Sequence, residues 1–241
     1  MRSNRDYYDE FSSWYERERG RGYHDLLDEL ESDAVARYGC GQRVLEAGCG
    51  TGLVLDRLRG FAGQVTGVDL SPGMLARARE RALPVAQADV CRLPFPDASF
   101  DVVCSFKVLA HVAAIETAVH ELARVTRPGG HLVLEFYNRH SLRYVIKRLK
   151  RPSKISDSET DAAVYTRYDS LADVRGYLPP GVDLVEVRGV RVVTPVSHVF
   201  RLAPLAALFR ALERGASEAP LLRRLGGFMV VVARKNGAGA A

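Results

Sequence analysis

No run of apolar residues in this chain approaches the roughly 20 that a bilayer-spanning helix needs. The opening segment, Met1 to Asp6, is polar with no apolar stretch behind it. Neither a membrane span nor a secretory leader is expected, and the reading is a cytoplasmic protein. Cysteine is scarce: the four residues Cys40, Cys49, Cys91 and Cys104 are scattered without paired ligand spacing. They read as reduced thiols packed as small apolar groups, so neither a disulfide framework nor a metal site is expected. Charge of one sign is also modest. Lys and Arg number 34 against 29 Asp and Glu, a net of +5, too small an excess to identify an acidic partner by itself. Glycine and proline are neither scarce nor dominant and no internal repeat is visible, which excludes fibrous and disordered classes. What remains is an ordinary globular composition, 47% apolar over 241 residues, long enough for one domain with a small elaboration.

Two helical patterns come first, one through Tyr7, Tyr8, Phe11, Trp14 and Tyr15, the other through Leu26, Leu27, Leu30 and Val35. Strand and helix patterns then alternate. Strands are expected at Arg43 to Ala47, Val65 to Val68, Val85 to Ala88, Asp101 to Phe106 and, after Pro128-Gly129-Gly130, at His131 to Phe136. Between them lie helical patterns through Val54, Leu55 and Leu58, after Pro72, and through Val112, Ile115, Val119 and Leu122. Such alternation implies a parallel sheet covered on both faces. After Tyr137 the composition shifts, with Arg139, Arg143, Lys147, Arg148, Lys150, Arg151 and Lys154 and no acid among them. A helix at Ser170 to Leu178, a strand at Val182 to Val193, a helical segment at Val199 to Leu212 and a closing strand at Phe228 to Ala233 complete the pattern. The expected division is a helical cap over 1–38, a core over 39–138, a basic insert or lid over 139–168, a completion of the sheet and pocket wall over 169–235, and a tail over 236–241.

The chemistry concentrates where strands end. Val44-Leu45-Glu46-Ala47 runs into Gly48-Cys49-Gly50-Thr51-Gly52 and then into a helix. Glycine allows a sharp turn and lets a ligand approach the backbone, and a helix start offers free N–H groups. The Glu46 carboxylate suits a positively charged ligand. Asp69 ends the next strand, where a carboxylate can accept from both hydroxyls of a ribose. Asp89 ends the third, beside Ala88 and Val90, where it can take an exocyclic amine of adenine. Acids at successive strand ends lie along the crevice in which open α/β sheets bind ligands.

Glu46 to Gly52, Asp69, Ala88-Asp89, Phe100 to Ser105 and Arg127-Pro128-Gly129-Gly130, in this order, closely resemble the class I S-adenosylmethionine (SAM) dependent methyltransferases. Within that class the likeness is to the small-molecule branch that includes ubiquinone and menaquinone C-methyltransferases. The resemblance implies an α/β Rossmann-like fold with a seven-stranded, mostly parallel sheet, the last strand reversed, and helices on both faces. An N-terminal helical cap and an insert after strand five complete it. It implies SAM as cofactor, its demethylated product S-adenosylhomocysteine (SAH), no metal, and methyl transfer to a small-molecule acceptor. Carried onto this chain, Glu46, Gly48, Cys49, Gly50 and Gly52 belong to the cofactor loop, Asp69 to the ribose, Leu70 and Met74 to the adenine face, and Ala88, Asp89 and Val90 to its edge. Phe106 and Lys107 touch the methionine portion largely through backbone, and Tyr7 and Tyr15 belong to a lid. Many relatives carry paired histidines after the fourth strand; here Ala110-His111 keeps only the second.

Several alternatives stay open. The glycine loop could serve a nicotinamide dinucleotide, whose fingerprint wants glycine where Leu53 stands. A SAM-binding relative could catalyse another reaction or only sense the cofactor. His111, Tyr7 and Tyr15 are candidate catalytic residues, yet His111 could equally be a packed helix-start residue and the tyrosines could simply cement a helix to the sheet. In the insert, Leu142, Val145, Ile146 and Leu149 share one helical face and Arg143, Lys147, Lys150 and Arg151 another. The apolar face could pack on the domain, or the stretch 139–154 could meet an anionic membrane surface or an acidic substrate, giving a peripheral location. Nucleic acid is not expected, because neither an RNA-binding motif nor the Asn/Asp-Pro-Pro-aromatic stretch of base-modifying methyltransferases is present. Monomer and homodimer remain equally open.

Overall fold

A computed structural model describes residues 22–149, 165–194 and 203–237. The first helical pattern, with Tyr7 and Tyr15, lies outside these residues, as do the ends of the insert. The described chain opens with helix α1 (Tyr23–Gly39), then strand β1 (Arg43–Ala47), helix α2 (Leu53–Leu58), strand β2 (Gln64–Asp69), helix α3 (Pro72–Glu80) and strand β3 (Val85–Gln87). Strand β4 (Phe100–Ser105) leads through a 3-10 turn at Leu109–His111 to helix α4 (Ile115–Val125) and strand β5 (Thr126–Tyr137). Helices α5 (Leu142–Leu149) and α6 (Leu171–Tyr177), strand β6 (Val182–Val190), helix α7 (Ala203–Glu218), a 3-10 turn at Leu222–Leu225 and strand β7 (Phe228–Lys235) finish it.

The strands form one seven-stranded sheet in the order β3-β2-β1-β4-β5-β7-β6. β1 to β5 pair in parallel, and β7 runs antiparallel to both β5 and β6. Successive side chains of the central strands go to opposite faces, as the pleat requires. Val44, Val102, Cys104 and Val133 pack with α1, α2 and α3, whereas Leu45, Val103, Leu132 and Leu134 pack with α4 and α6. Two apolar layers therefore clamp the sheet, so the parallel strands read as unbroken apolar runs.

Several expected boundaries move, among them the end of α7, which runs to Glu218 rather than Leu212. β5 starts at Thr126 rather than His131, and a register shift against β4 accommodates the Arg127-Pro128-Gly129 segment. Helix α4 starts at Ile115, so Val112 precedes it as an extended residue. β6 ends at Val190 because Arg191 turns the chain with φ of 61°. Local capping agrees with the sequence at two helices. Ser71 accepts from the Met74 N–H at the start of α3, just before Pro72, and Ser170 and Asp173 form a reciprocal capping box on α6.

Candidate active site

The carboxyl ends of β1, β2, β3 and β4 surround a cavity of about 320 Å³. Of the residues expected to hold a cofactor, Gly48, Gly50, Asp69, Leu70, Met74, Ala88, Asp89, Val90, Phe106 and Lys107 line it, and so does His111. Glu46, Cys49 and Gly52 do not. Cys49 is buried in the layer under α2, and the position of a Gly52 side chain is filled by Leu83 and Ala78.

The glycine loop is held down by its own strand neighbour. The Gly48 and Cys49 N–H groups both donate to the Val68 carbonyl, at 2.7 and 2.9 Å. Gly48 adopts φ of 80°, and a Cβ there would stand 2.1 Å from a Val108 methyl carbon. Gly50 adopts φ of 54° but faces open space, with nothing within 4 Å of an added Cβ. The first glycine thus permits packing, and the second leaves room at the cavity wall. Asp69 accepts from the Gly50 N–H at 2.8 Å and from the Ser71 N–H at 2.9 Å, which fixes its carboxylate at the head of β2. Asp89 accepts from the Cys91 N–H at 2.8 Å, and Leu70 stands half-open on the rim.

Behind Gly48 lies a buried acidic cluster. Glu46, Glu31, Glu135 and Asp28 are all nearly inaccessible, and among the described residues Lys107, at φ of 60°, brings a cation to them. Its Nζ donates to Glu31 at 2.7 Å and Asp28 at 2.9 Å, and its N–H donates to Glu135 at 3.2 Å. Glu46 Oε2 is buried without a hydrogen-bond partner among the described residues. Burial, reinforced by the Glu31 charge and opposed by Lys107, holds the Glu46 carboxyl well above the usual carboxylate range. Burial and Glu31 do the same to Glu135.

On the other side of Lys107 stands an aromatic wall. His111 Nδ1 lies 2.8 Å from the Tyr165 carbonyl oxygen. A carbonyl only accepts, so this nitrogen carries a proton, and in the neutral ring Nε2 then keeps the lone pair. Nε2 faces the Tyr137 hydroxyl at 3.5 Å. Burial pushes Tyr137 up to about 12, so its hydroxyl stays protonated. The turn carrying His111 is clamped by Arg167, which donates to the Leu109 and Val112 carbonyls at 2.9 Å each and pairs with buried Asp169. Tyr137 in turn packs on Tyr168 and Phe228, with ring centroids 5.6 and 5.1 Å away.

The basic insert corrects an expectation about its orientation. Arg143, which the sequence places on the basic face opposite Leu142, Val145 and Ile146, points inward, over Phe228 at 4.9 Å and Tyr137 at 5.6 Å. Leu142, Val145 and Ile146 face outward and are exposed. Sequence reasoning also missed Tyr137, Tyr168 and Arg191; the run of tyrosines around Tyr165 was the available signal.

Against solved structures, a SAM-dependent methyltransferase of Thermotoga maritima described as a possible histamine N-methyltransferase aligns with a TM-score of 0.65 at 20% identity, covering 95% of this chain and 98% of that one. The fold is that of a class I SAM-dependent methyltransferase. Residues 45–134 match the family model described as a methyltransferase domain, and this segment holds all the cavity-lining residues named above. The demethylmenaquinone methyltransferase of Mycobacterium sp. (strain KMS) is 38% identical over 153 residues, 58% of this chain and 65% of that protein. The malonyl-[acyl-carrier protein] O-methyltransferase of Serratia marcescens is 39% identical over 120 residues, 46% of this chain and 47% of that protein. The chain therefore spans less than two thirds of the length of these methyltransferase relatives. The [4+2]-cyclase SpnF shares the fold with a TM-score of 0.64 at 20% identity, over 97% of this chain and 95% of that one, so the methyltransferase fold alone does not dictate the reaction.

Proposed function

We propose that this protein transfers a methyl group from SAM to a small-molecule acceptor, with apolar or lipid-like acceptors included. The observation that carries this reading is the placement of Asp69 and Asp89 on one cavity, with the Glu46 carboxyl buried behind its glycine wall and its Oε2 without a hydrogen-bond partner among the described residues. Those residues suit SAM in three respects. Asp69 is fixed to meet a ribose diol, Asp89 stands where an adenine amine would lie, and Glu46 is a carboxyl that can ionise when a cationic ligand arrives. A nicotinamide dinucleotide brings a pyrophosphate instead, which the neighbouring carboxylates would repel.

When bound, SAM supplies an electrophilic methyl group on a sulfonium. The chain's own task is then alignment and exclusion of water, which together lower a barrier by several kcal/mol. Gly48 and Gly50 keep the wall low at the methionine end, and Met74 and Leu70 offer apolar contact to the adenine. For an acceptor that arrives protonated, His111 Nε2 is oriented by the Tyr165 carbonyl to take the proton, with the Tyr137 hydroxyl beside it. Residues 139–168 serve as the lid, together with Tyr7 and Tyr15.

Calorimetric titration with SAM, SAH and NAD tests the reading directly. Micromolar binding of the first two, lost in Asp69→Ala and not seen for NAD, supports it. Binding of NAD, or of none of the three, overturns it.

A peripheral location on an anionic membrane is the second part of this proposal, and it rests on the outward face of α5. Leu142, Val145 and Ile146 are exposed, as is Arg148, a combination suited to a headgroup boundary. Sedimentation with phosphatidylglycerol vesicles, compared with phosphatidylcholine vesicles and with an Ile146→Asp variant, tests it. Equal binding to both vesicles, or none, removes this part and leaves the catalytic reading untouched.

A further inference from the structure

Two guanidinium groups converge beside the aromatic wall. Arg143 from α5 lies over Phe228 and Tyr137, and Arg191, just past β6, lies 5.1 Å over the Tyr23 ring. A Cβ on Gly227 would stand 3.4 Å from Arg191 Cδ and 3.5 Å from Arg143 Cδ, so both stems pass over one glycine. Both side chains are half-buried. Among the described residues no carboxylate pairs with either guanidinium. Glu213, the acid whose charge acts on Arg191, uses its oxygens on the Val192, Val193 and Thr194 N–H groups and the Thr194 hydroxyl.

Stacking on a ring occupies only the face of a guanidinium. Its in-plane N–H donors remain directed outward, in the fork that matches a carboxylate or phosphate. Two like charges held together and partly out of water are costly unless an anion joins them. Burial, with the charge of Arg143 adding to it, accordingly holds Arg191 below its ordinary value. Arg191 also keeps φ of 61°, a conformation that a non-glycine residue adopts at a cost. Tyr137 connects this pair to the cavity, because its ring carries Arg143 while its hydroxyl faces His111.

We propose that Arg143 and Arg191 form an oxyanion subsite that binds the acidic end, carboxylate or phosphate, of the methyl acceptor. The proposal rests on the methyltransferase reading for the role of its ligand, but the subsite itself is a binding claim that can be measured separately.

The test uses the full chain saturated with SAH and titrated calorimetrically with benzoate, phenyl phosphate and the neutral benzamide. At least one anion should bind about tenfold or more tightly than benzamide, and Arg143→Gln and Arg191→Gln should each remove about tenfold of that affinity. Which anion binds better identifies carboxylate or phosphate as the group recognised. SAH affinity should change by less than about twofold in both variants. Arg191→Lys, which keeps the charge, should retain part of the anion affinity and serves as the folded comparison if a glutamine variant melts early. Equal binding of benzamide and the anions, or folded variants that bind anions as well as the parent, overturns the subsite. A large loss of SAH affinity also overturns it, because the pair would then hold the cofactor's carboxylate. If SAH fails to bind the parent protein, the methyltransferase reading falls, while the same titrations without SAH still decide the subsite.

Discussion

Lys107 reaches back from the end of β4 to Glu31 in α1, with Nζ 2.7 Å from Oε2, and so ties the helix that precedes the sheet to the strand end that lines the cavity. Asp28, one turn earlier on α1, takes a second bond from the same nitrogen at 2.9 Å. Both carboxylates are buried, and removing the lysine takes away a cation that they share. Lys107→Met should therefore lose about 3–5 kcal/mol of unfolding free energy in urea. Adding Glu31→Gln to it should restore part of the loss. An unchanged midpoint in the single variant would show that the bridge contributes nothing to stability.

Glu46 offers a prediction in pH. Its carboxyl is raised by burial and by Glu31, so the protonated form is the one the ligand-free fold favours. That contribution is complete below the unfolded value of about 4.3 and is lost as pH rises through the raised folded value. Glu46→Gln keeps the shape without the charge. In the ligand-free protein the variant should be more stable than the parent at about pH 8, by roughly 1–3 kcal/mol, with the gap closing toward about pH 5. The same variant should bind SAM more weakly, since no carboxylate can form there when the cationic ligand arrives. Thermal unfolding at the two pH values, with and without SAM, reads both effects; a gap independent of pH would mean that Glu46 is ionised throughout.

Much of this site is legible in sequence because it is local. A strand, its terminal acid and the following glycine or serine are neighbours in the chain, so Glu46, Asp69 and Asp89 announce their positions at successive strand ends. The acidic cluster is not local. Asp28 and Glu31 come from α1 and Glu135 from β5, and their periodicity looks like that of any half-polar helix or strand until the fold brings them to Lys107. Arg143 misleads for a related reason. A helical projection separates it from Leu142, Val145 and Ile146 but does not say which face turns inward, and Phe228, which receives it, lies in β7 at the other end of the chain. Arg191 sits inside what the apolar pattern reads as a continuous strand to Val193, and only its positive φ reveals the turn.

Gly48 and Gly50 should respond differently to one added methyl group. Both have positive φ, which costs a non-glycine residue about 1–2 kcal/mol. At Gly48 the new Cβ also collides with Val108, adding about 1–3 kcal/mol of overpacking, so Gly48→Ala should destabilise the protein clearly. At Gly50 the methyl group enters open cavity. Gly50→Ala should therefore cost little beyond the backbone term while weakening SAH binding about tenfold or more. Denaturant midpoints and SAH titrations on the same two proteins separate the cases. Equal loss of stability would contradict the open space above Gly50.

In the proposed reaction, an acceptor that arrives protonated would lose its proton to His111. The Tyr165 carbonyl holds the proton on Nδ1 and leaves Nε2 as the base, an arrangement that matters only for an acceptor that must lose a proton. With such an acceptor, His111→Gln should lower kcat by about 10²–10⁴-fold. The KM for SAM should stay nearly constant, because Asp69 and Asp89 are untouched. The acidic limb of the rate–pH profile, which reports protonation of the base, should disappear in the variant, and added imidazole should restore part of the rate. Tyr137→Phe should have a smaller effect, since the hydroxyl only neighbours Nε2 at 3.5 Å. A variant that retains both kcat and the acidic limb would show that the acceptor reacts without a base, leaving His111 to fix the turn against the Tyr165 segment.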